Sequence, residues 1–401
     1  MPSIQELVDR ISAAANAFSE AKPEDQKANE ARIALRLASW ELHKATTAPI
    51  EWVVPQSYGD CDLAATDALI RLGVLHALPE VGQISYVEVA AKANVELDVL
   101  QRLCRYTATF GFLKEATPGY IEHTEASRLA AQHSFALSFA THDFHPASFR
   151  IVDALRQDPA AVEPNSCAYS INNPRPDGSL RDSFQVLAED PDTRERFTKL
   201  MQLGALAKSG GSSFLKESFN WQDLPAGSKI VDVGGGRGHM TLPLAESYPH
   251  LKFFSQDRAE FVAGAKESDL TAPNGASVEF VQHDFFTLQD LVADVYLFRR
   301  IFHDWSDKYC TKILQALKPA LKVGTRLLIN ERVLPEPRGR PDFAEYEVRK
   351  FDLCMLVMCN GKERSLEQWK TLVTGADPSW KFVRVAMLEE YLQGVVIFQY
   401  V

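Results

Sequence analysis

Between Lys229 and Glu331 the chain repeats one pattern five times: a short apolar run, a polar end, then a helical stretch. The runs are KIVDV, KFFSQD, VEFVQHD, DVYLFR and RLLINE. Runs that are apolar on both faces belong in a sheet covered on both sides. Strands alternating with helices run parallel and are joined by right-handed crossovers. Two more runs, KFVRV and GVVIFQYV, close the sequence. The pattern selects an α/β fold whose strands end along one carboxyl edge, where open sheets bind their ligands.

The strand ends carry the chemistry. VDVGGGRGH, residues 231–239, joins the first strand to a helix expected to start near His239. Gly234, Gly236 and Gly238, with Gly235 between them, let the backbone turn tightly and approach a ligand without a Cβ in the way. The helix start beyond them favours an anion. The spacing is D-x-G-x-G-x-G; His239 stands where a nicotinamide fingerprint needs its last glycine, and no Walker loop occurs. Asp257 ends the second strand, 25 residues after Asp232, where a carboxylate can accept both ribose hydroxyls. At the third strand end Asp284 is placed to receive an adenine amino group and Phe285 to pack on the ring. Each Asp alone would serve equally as a helix cap; their convergence on one sheet edge favours the ligand.

After the fourth strand comes FRRIFHDWSD, residues 298–307. Histidine titrates near 6.5, which makes His303 available as a base at neutral pH. With strand order 3-2-1-4-5, Glu331 at the end of the fifth strand faces the same cleft. A carboxylate on the far imidazole nitrogen would fix the tautomer and stabilise the imidazolium. Glu363, in NGKERS, is a second candidate. Each Glu has a plainer alternative role as a surface charge or as an ion-pair partner of Arg332 or Arg364.

The remainder of the 401 residues reads as mainly helical. Ser3 and Glu6 have capping-box spacing ahead of Ile4, Leu7 and Ile11. EAKPEDQKANEAR reads as a solvated linker. A helix near 31–44 carries Ile33, Leu37 and Trp40 on one side and Leu35 and Leu42 on the other, so it needs two partners; a twin subunit is one candidate. In residues 62–130, helices over 63–78, 87–92 and 97–110 precede two short strands around a Pro-Gly turn, the outline of a winged helix. The spacing sets Val99, Leu103, Tyr106 and Phe110 on one stripe of the third helix. Nine acidic against six basic residues between Asp62 and Arg128 argue against DNA, as does the net charge of −10 for the chain. Residues 131–225 are expected to be helical around a PRPDGS loop. No run approaches the roughly 20 apolar residues of a membrane span, and the N-terminus lacks a signal-peptide core. The six cysteines have no metal or CxxC spacing. These features lead to the expectation of a cytoplasmic protein that binds neither nucleic acid nor membrane.

From about residue 60 onward the chain resembles the S-adenosylmethionine-dependent O-methyltransferases of the caffeate and flavonoid type, nearest to their fungal secondary-metabolism branch. VDVGGGRG, the Asp at the second strand end, HDFF, RRIFHDWSD, LLINERVLPE and GKERS carry the resemblance, in order and approximate spacing. It implies a Rossmann-like domain with a seven-stranded, mostly parallel sheet behind a mainly helical winged-helix dimerisation domain. The boundaries would be 1–135 and 136–401, the latter divided into a substrate-lining part at 136–225 and a core at 226–401. Gly234, Gly235, Gly236, Asp257, Asp284, Phe285 and Arg299 would contact the cofactor, although Arg300 stands beside Arg299 and the choice between them stays open. His303 would be the general base, with Asp304 next to it and Glu331 and Glu363 bracketing it. Asn360-Gly361-Lys362-Glu363 is one residue shorter than the plant motif, which bears on where Glu363 lies.

A methyl group would pass from S-adenosylmethionine to a hydroxyl, expected to be phenolic, of a small aromatic, polyketide or alkaloid acceptor. S-adenosylhomocysteine would be released, with no metal, by a homodimer built through residues 1–130. Candidates for a dry apolar acceptor pocket are Phe139, Phe144, Phe149, Met201, Met355 and Met358, with His142 and His145 as polar groups meeting a substrate hydroxyl. Some fungal members of this family catalyse pericyclic reactions with the sulfonium retained. The presence of His303, Asp304, Glu331 and Glu363 favours methyl transfer, because only that chemistry needs the base.

Overall fold

A computed structural model describes residues 2–22, 25–206, 211–262, 271–272, 274–336, 343–388 and 391–401. The chain divides into two compact units. One contains Met1–Thr46, Ala147–Ala188 and Ala205–Val401; the other contains Thr47–Pro146 and Glu189–Gly204. Residues 1–46 therefore group with the sheet, and the division does not follow a single cut at 135/136.

In the larger unit the five apolar runs form parallel strands β1 (Lys229–Val233), β2 (Lys252–Asp257), β3 (Val278–Gln282), β4 (Val295–Arg299) and β5 (Arg326–Leu334). A two-residue strand, β6 (Arg364–Ser365), pairs with the end of β5. The two last runs form β7 (Trp380–Leu388) and β8 (Gln393–Tyr400), both antiparallel to their neighbours. The spatial order is β7-β8-β5-β4-β1-β2-β3, so strands three, two, one, four and five lie as expected and β6 adds an eighth. Alternate residues face opposite sides. Val231, Tyr296, Phe298, Leu327 and Ile329 enter one apolar cluster, while Ile230, Val295, Leu297 and Leu328 enter another. Each fully buried aliphatic or Phe side chain contributes about 1.5–3 kcal/mol. The two-sided core thus gives the sheet a rigid edge on which charged groups can be held.

The N-terminal helices Ile4–Glu20 and Gln26–Thr46 pack on each other. The Ser3–Glu6 capping box forms. The charged stretch is not a linker throughout, because its second half is the first turn of the Gln26–Thr46 helix. That helix finds partners inside its own unit. Ala31 and Ala38 are buried, and Trp40 meets Phe343 edge-on at 5.7 Å and Tyr346 at 5.4 Å. A twin subunit is not needed to give its sides a contact.

In the smaller unit, helices Cys61–Arg71, Tyr86–Ala93 and Leu97–Thr109 are closed by strands Ile84–Ser85, Leu113–Lys114 and Tyr120–His123, all antiparallel. The expected 63–78 helix breaks at Gly73, whose φ of 70° ends one helix before Val74–Ala77 begins. The Leu97–Thr109 helix buries Leu100, Cys104 and Thr107. Val99, Tyr106 and Phe110 are instead about two-fifths exposed, at 43%, 40% and 44%. Both stripes have helical spacing, and packing selected the other one. Among the described residues no helix is long and apolar enough to cross a membrane.

Candidate active site

At the end of β1, Gly234 adopts φ 77°, and a Cβ built there would stand 2.3 Å from Ile301 Cδ1. The left-handed φ is what requires glycine, since the Ile301 methyl is the free end of a flexible side chain. The Gly234 and Gly235 amides donate to the Gln256 carbonyl at 2.8 and 3.1 Å, and the Gly236 amide donates to Asp257 Oδ2 at 2.9 Å. Asp257 Oδ1 accepts from the Arg258 amide at 2.8 Å. Burial pushes the Asp257 carboxyl up to about 6. An enclosed carboxylate with spare lone pairs beside a bare glycine loop has the acceptors that a ribose diol needs. The residues present therefore fit S-adenosylmethionine.

The helix after the loop is Thr241–Ser247, two residues later than expected and only 7 residues long. His239 is pushed down to about 4 by burial and the two nearby arginines. Asp284 is exposed, and its Oδ1 accepts from the Phe286 amide at 3.0 Å, closing a turn after β3. Phe285 packs on Phe286 at 5.0 Å and against Trp305 at 6.1 Å. The two arginines part at the end of β4. Burial and Arg300 lower Arg299 to about 10, against the pull of Asp232 and Glu331. Arg300, with φ 53°, feels Glu331, Glu363 and Asp304 instead.

His303 lies on a 3-10 turn, Phe302–Asp304, and is buried at 5% exposure. Four long-range contacts hold it. β4 and β5 pair in the register Arg299↔Asn330, so Glu331 stands one row beyond the end of β4. There its Oε1 accepts the Ile301 and Phe302 amides at 2.9 and 3.0 Å. Fully buried Arg364 donates to the carbonyls of Phe302 and Trp305 at 3.0 and 2.7 Å, gripping the turn on both sides of the ring. Glu363 Oε1 lies 2.8 Å from His303 Nδ1. A Cβ on Gly361 would stand 2.0 Å from the His303 carbonyl oxygen, so this backbone approach requires glycine. Glu331 Oε2 is 3.5 Å from Nδ1, while Asp304 Oδ1 is 3.6 Å from Nε2. Both glutamates thus stand on the same ring nitrogen rather than on opposite sides. Burial, before any neighbour, raises Glu363 to about 8 and Asp304 to about 7, and raises Glu331 as well. Donor atoms of His303, Glu331 and Glu363 lie within 4.8 Å of one another, close enough to surround a cation. The 2.8 Å contact among them is also the length of an N–H···O hydrogen bond.

Residues 165–377 match the O-methyltransferase domain family, and residues 63–133 match the O-methyltransferase dimerisation domain. The first match covers more than half of the chain. The chain belongs to the O-methyltransferase family. The methyltransferase is 31% identical to O-methyltransferase AMT9 of Alternaria alternata, over 90% of this chain and 84% of that relative. It is 32% identical to 6-hydroxytryprostatin B O-methyltransferase of Aspergillus fumigatus, over 81% of this chain and 94% of the relative. Its fold matches the crystal structure of OxaC with a TM-score of 0.81 at 21% identity, covering 99% of both chains. It matches LepI in complex with SAM with a TM-score of 0.81 at 23% identity, covering all of both chains.

The acceptor candidates of the methyltransferase are scattered. Met355 is buried and Met358 half-buried on the Phe343–Cys359 helix, in the same unit as His303. His142, on a π-helical turn, is exposed, and Met201 is half-buried; both belong to the smaller unit. Phe139 is core, packed on Phe197 at 5.6 Å, and Phe149 is 70% exposed. Sequence reasoning missed Gly361 and missed Arg364 as a clamp. The signal in NGKERS is a glycine and an arginine flanking the candidate acid; that the arginine is buried shows only in the fold. It also missed Asp352, whose Oδ1 accepts the Glu363 amide at 2.7 Å, and Phe351, 5.7 Å from the His303 ring.

Proposed function

We propose that this enzyme transfers a methyl group from S-adenosylmethionine to a phenolic hydroxyl of a small secondary metabolite, with His303 as general base. The bound cofactor supplies an electrophilic methyl carbon on a positively charged sulfur. Gly234, Gly235, Gly236, Asp257, Asp284, Phe285 and Arg299 would hold it, Asp257 through its spare lone pairs. The observation that carries the reading is the His303 cradle. With Nδ1 tied to Glu363 at 2.8 Å, Nε2 is the nitrogen left to accept a proton. A phenol titrates near 10 and is protonated at neutral pH; transfer of its proton to Nε2 makes the oxygen nucleophilic as it attacks. The imidazolium draws the raised acids Glu363 and Glu331 on Nδ1 toward their ionised forms, which stabilise it in turn, while Glu331 and Arg364 keep the ring from turning. Glu331 and Glu363 act as positioning residues, and Asp304 shapes the Nε2 side.

The names of relatives support an acceptor of alkaloid or polyketide size. OxaC structures hold oxaline or meleagrin, and 6-hydroxytryprostatin B is the acceptor named for one relative. The dimerisation-domain match and the exposed Val99, Tyr106 and Phe110 support a homodimer. The test is incubation with methyl-labelled S-adenosylmethionine and a panel of phenolic polyketides and alkaloids, in the presence of EDTA. A labelled product heavier by one methyl group is expected. Consumption of an acceptor to a product of unchanged mass, with the label left on the cofactor, would replace methyl transfer by a pericyclic or other isomerising reaction.

A further inference from the structure

The methyl-transfer chemistry uses His303 and its carboxylates but gives no task to two arginines at the same place. Arg300 follows β4 in a left-handed conformation, φ 53°, which a residue with a side chain rarely adopts. Its amide is anchored to the Asn330 carbonyl at 3.2 Å. The half-buried guanidinium lies 6.0 Å from the centre of the Phe351 ring. Arg332, next to Glu331 on β5, lies 4.1 Å from the centre of the same ring. His303 shares that ring at 5.7 Å. One aromatic side chain thus gathers the base and two cations.

These cations are not used up by the protein. Among the described residues neither guanidinium has a carboxylate oxygen within 4.0 Å. Arg332 makes one long hydrogen bond, 3.4 Å, to the Glu347 carbonyl, and Arg300 makes none with its side chain. Burial lowers both, and for Arg332 the neighbouring Arg300 is the next cause. The acids that oppose this are Glu331, Glu363 and Asp304, which are occupied with the His303 loop, and for Arg332 also Glu347, which has no carboxylate oxygen within 4.0 Å of it. Two guanidinium forks with unused donors, side by side in a partly enclosed place, are costly unless something accepts from them.

We infer that Arg300 and Arg332 form a carboxylate receptor beside His303, so that the acceptor is a hydroxylated aromatic acid rather than a neutral phenol. The inference rests on the methyl-transfer reading. The planar fork of arginine matches a carboxylate in two parallel hydrogen bonds, and Phe351 supplies an apolar wall for the acceptor ring. The receptor fixes which hydroxyl reaches Nε2, because it anchors the molecule at a second point. Arg299 is drawn by Asp232 as well as Glu331 and is not part of it.

The test uses the full-length enzyme saturated with S-adenosylhomocysteine. Titration calorimetry with hydroxylated benzoates and naphthoates, each paired with its methyl ester, should show the acids binding at least about tenfold more tightly than their esters. Arg300→Met should abolish that preference, Arg300→Lys should keep part of it, and S-adenosylhomocysteine affinity should be the same in all three proteins. Arg332→Met is the companion variant in case the strained position tolerates no change. Equal affinities of acids and esters in the wild type, no binding of any acid, or a preference surviving in both methionine variants would overturn the receptor. Failure to bind S-adenosylhomocysteine at all would overturn the methyl-transfer reading instead.

Discussion

The glycine loop and the His303 cradle sit on one sheet edge but are built in opposite ways. The loop is a local structure. Its amides turn back onto Gln256 and Asp257 of the adjoining strand, and its specificity lies in bare backbone and one acid. The cradle draws Glu331, Gly361, Glu363 and Arg364 from two distant segments onto a three-residue turn. The first is suited to accept a ligand and has spare acceptor capacity. The second spends Oε1 of each glutamate on the turn and its ring, leaves Oε2 of both buried without a hydrogen bond, and holds one ring nitrogen in one direction. Binding and chemistry should therefore come apart under mutation, and the variants below press on that separation in order of effect.

His303→Gln keeps size and polarity without a basic nitrogen. Turnover should fall in the upper part of the 10²–10⁴-fold range typical of a lost general base, with S-adenosylmethionine affinity nearly unchanged by calorimetry. Activity should partly return near pH 10, where the phenol ionises by itself. Wild-type turnover at neutral pH would end the base assignment. Gly361→Ala comes next. Its Cβ must displace the His303 carbonyl from 2.0 Å, at a cost of about 1–3 kcal/mol for overpacking. Turnover should drop by one or two orders of magnitude while cofactor affinity is kept; equal losses in both would show that the two sites are one unit.

Asp257→Ala probes the other side. Hydrogen bonds involving a charged group are worth roughly 1.5–3 kcal/mol each, so S-adenosylmethionine affinity should weaken at least tenfold. At saturating cofactor, turnover should recover, whereas a kcat loss that saturation does not repair would contradict the division.

The smallest effect is on stability. Glu363 is raised to about 8, Asp304 to about 7 and Asp257 to about 6, all by burial. The folded protein binds these protons more tightly than the unfolded chain, whose carboxyls titrate near 4. The resulting stabilisation is complete below pH 4 and is lost as pH rises through the folded values. Between about pH 6 and pH 8 the melting temperature of the wild type should fall. Glu363→Gln, which cannot ionise, should show a shallower fall. Parallel melting curves for the two proteins across that window would remove Glu363 from the account.

Legibility follows the same division. The places of Asp257, Asp284 and the glycines at strand ends could be read because a strand end and a tight turn are local: these positions follow from residues a few places away and from the period of the apolar runs. The strand order was likewise constrained by crossover handedness, and it put His303 and Glu331 in one cleft. Which atom meets which was not legible. Glu363 takes Nδ1 because β6 pairs with the end of β5 and draws GKERS under the His303 turn. A two-residue strand has no periodic signal. Similarly, the Leu97–Thr109 helix offered two apolar stripes of equal spacing, and only neighbouring elements selected Leu100 and Cys104 for burial. The sequence alone determined the sheet, its edge and the residue types able to do the chemistry, because periodicity and glycine sterics act over short stretches. Tertiary structure decided the grip on His303, the parting of Arg299 from Arg300 and the gathering around Phe351. These depend on side chains from segments up to 62 residues apart, whose meeting no local rule encodes.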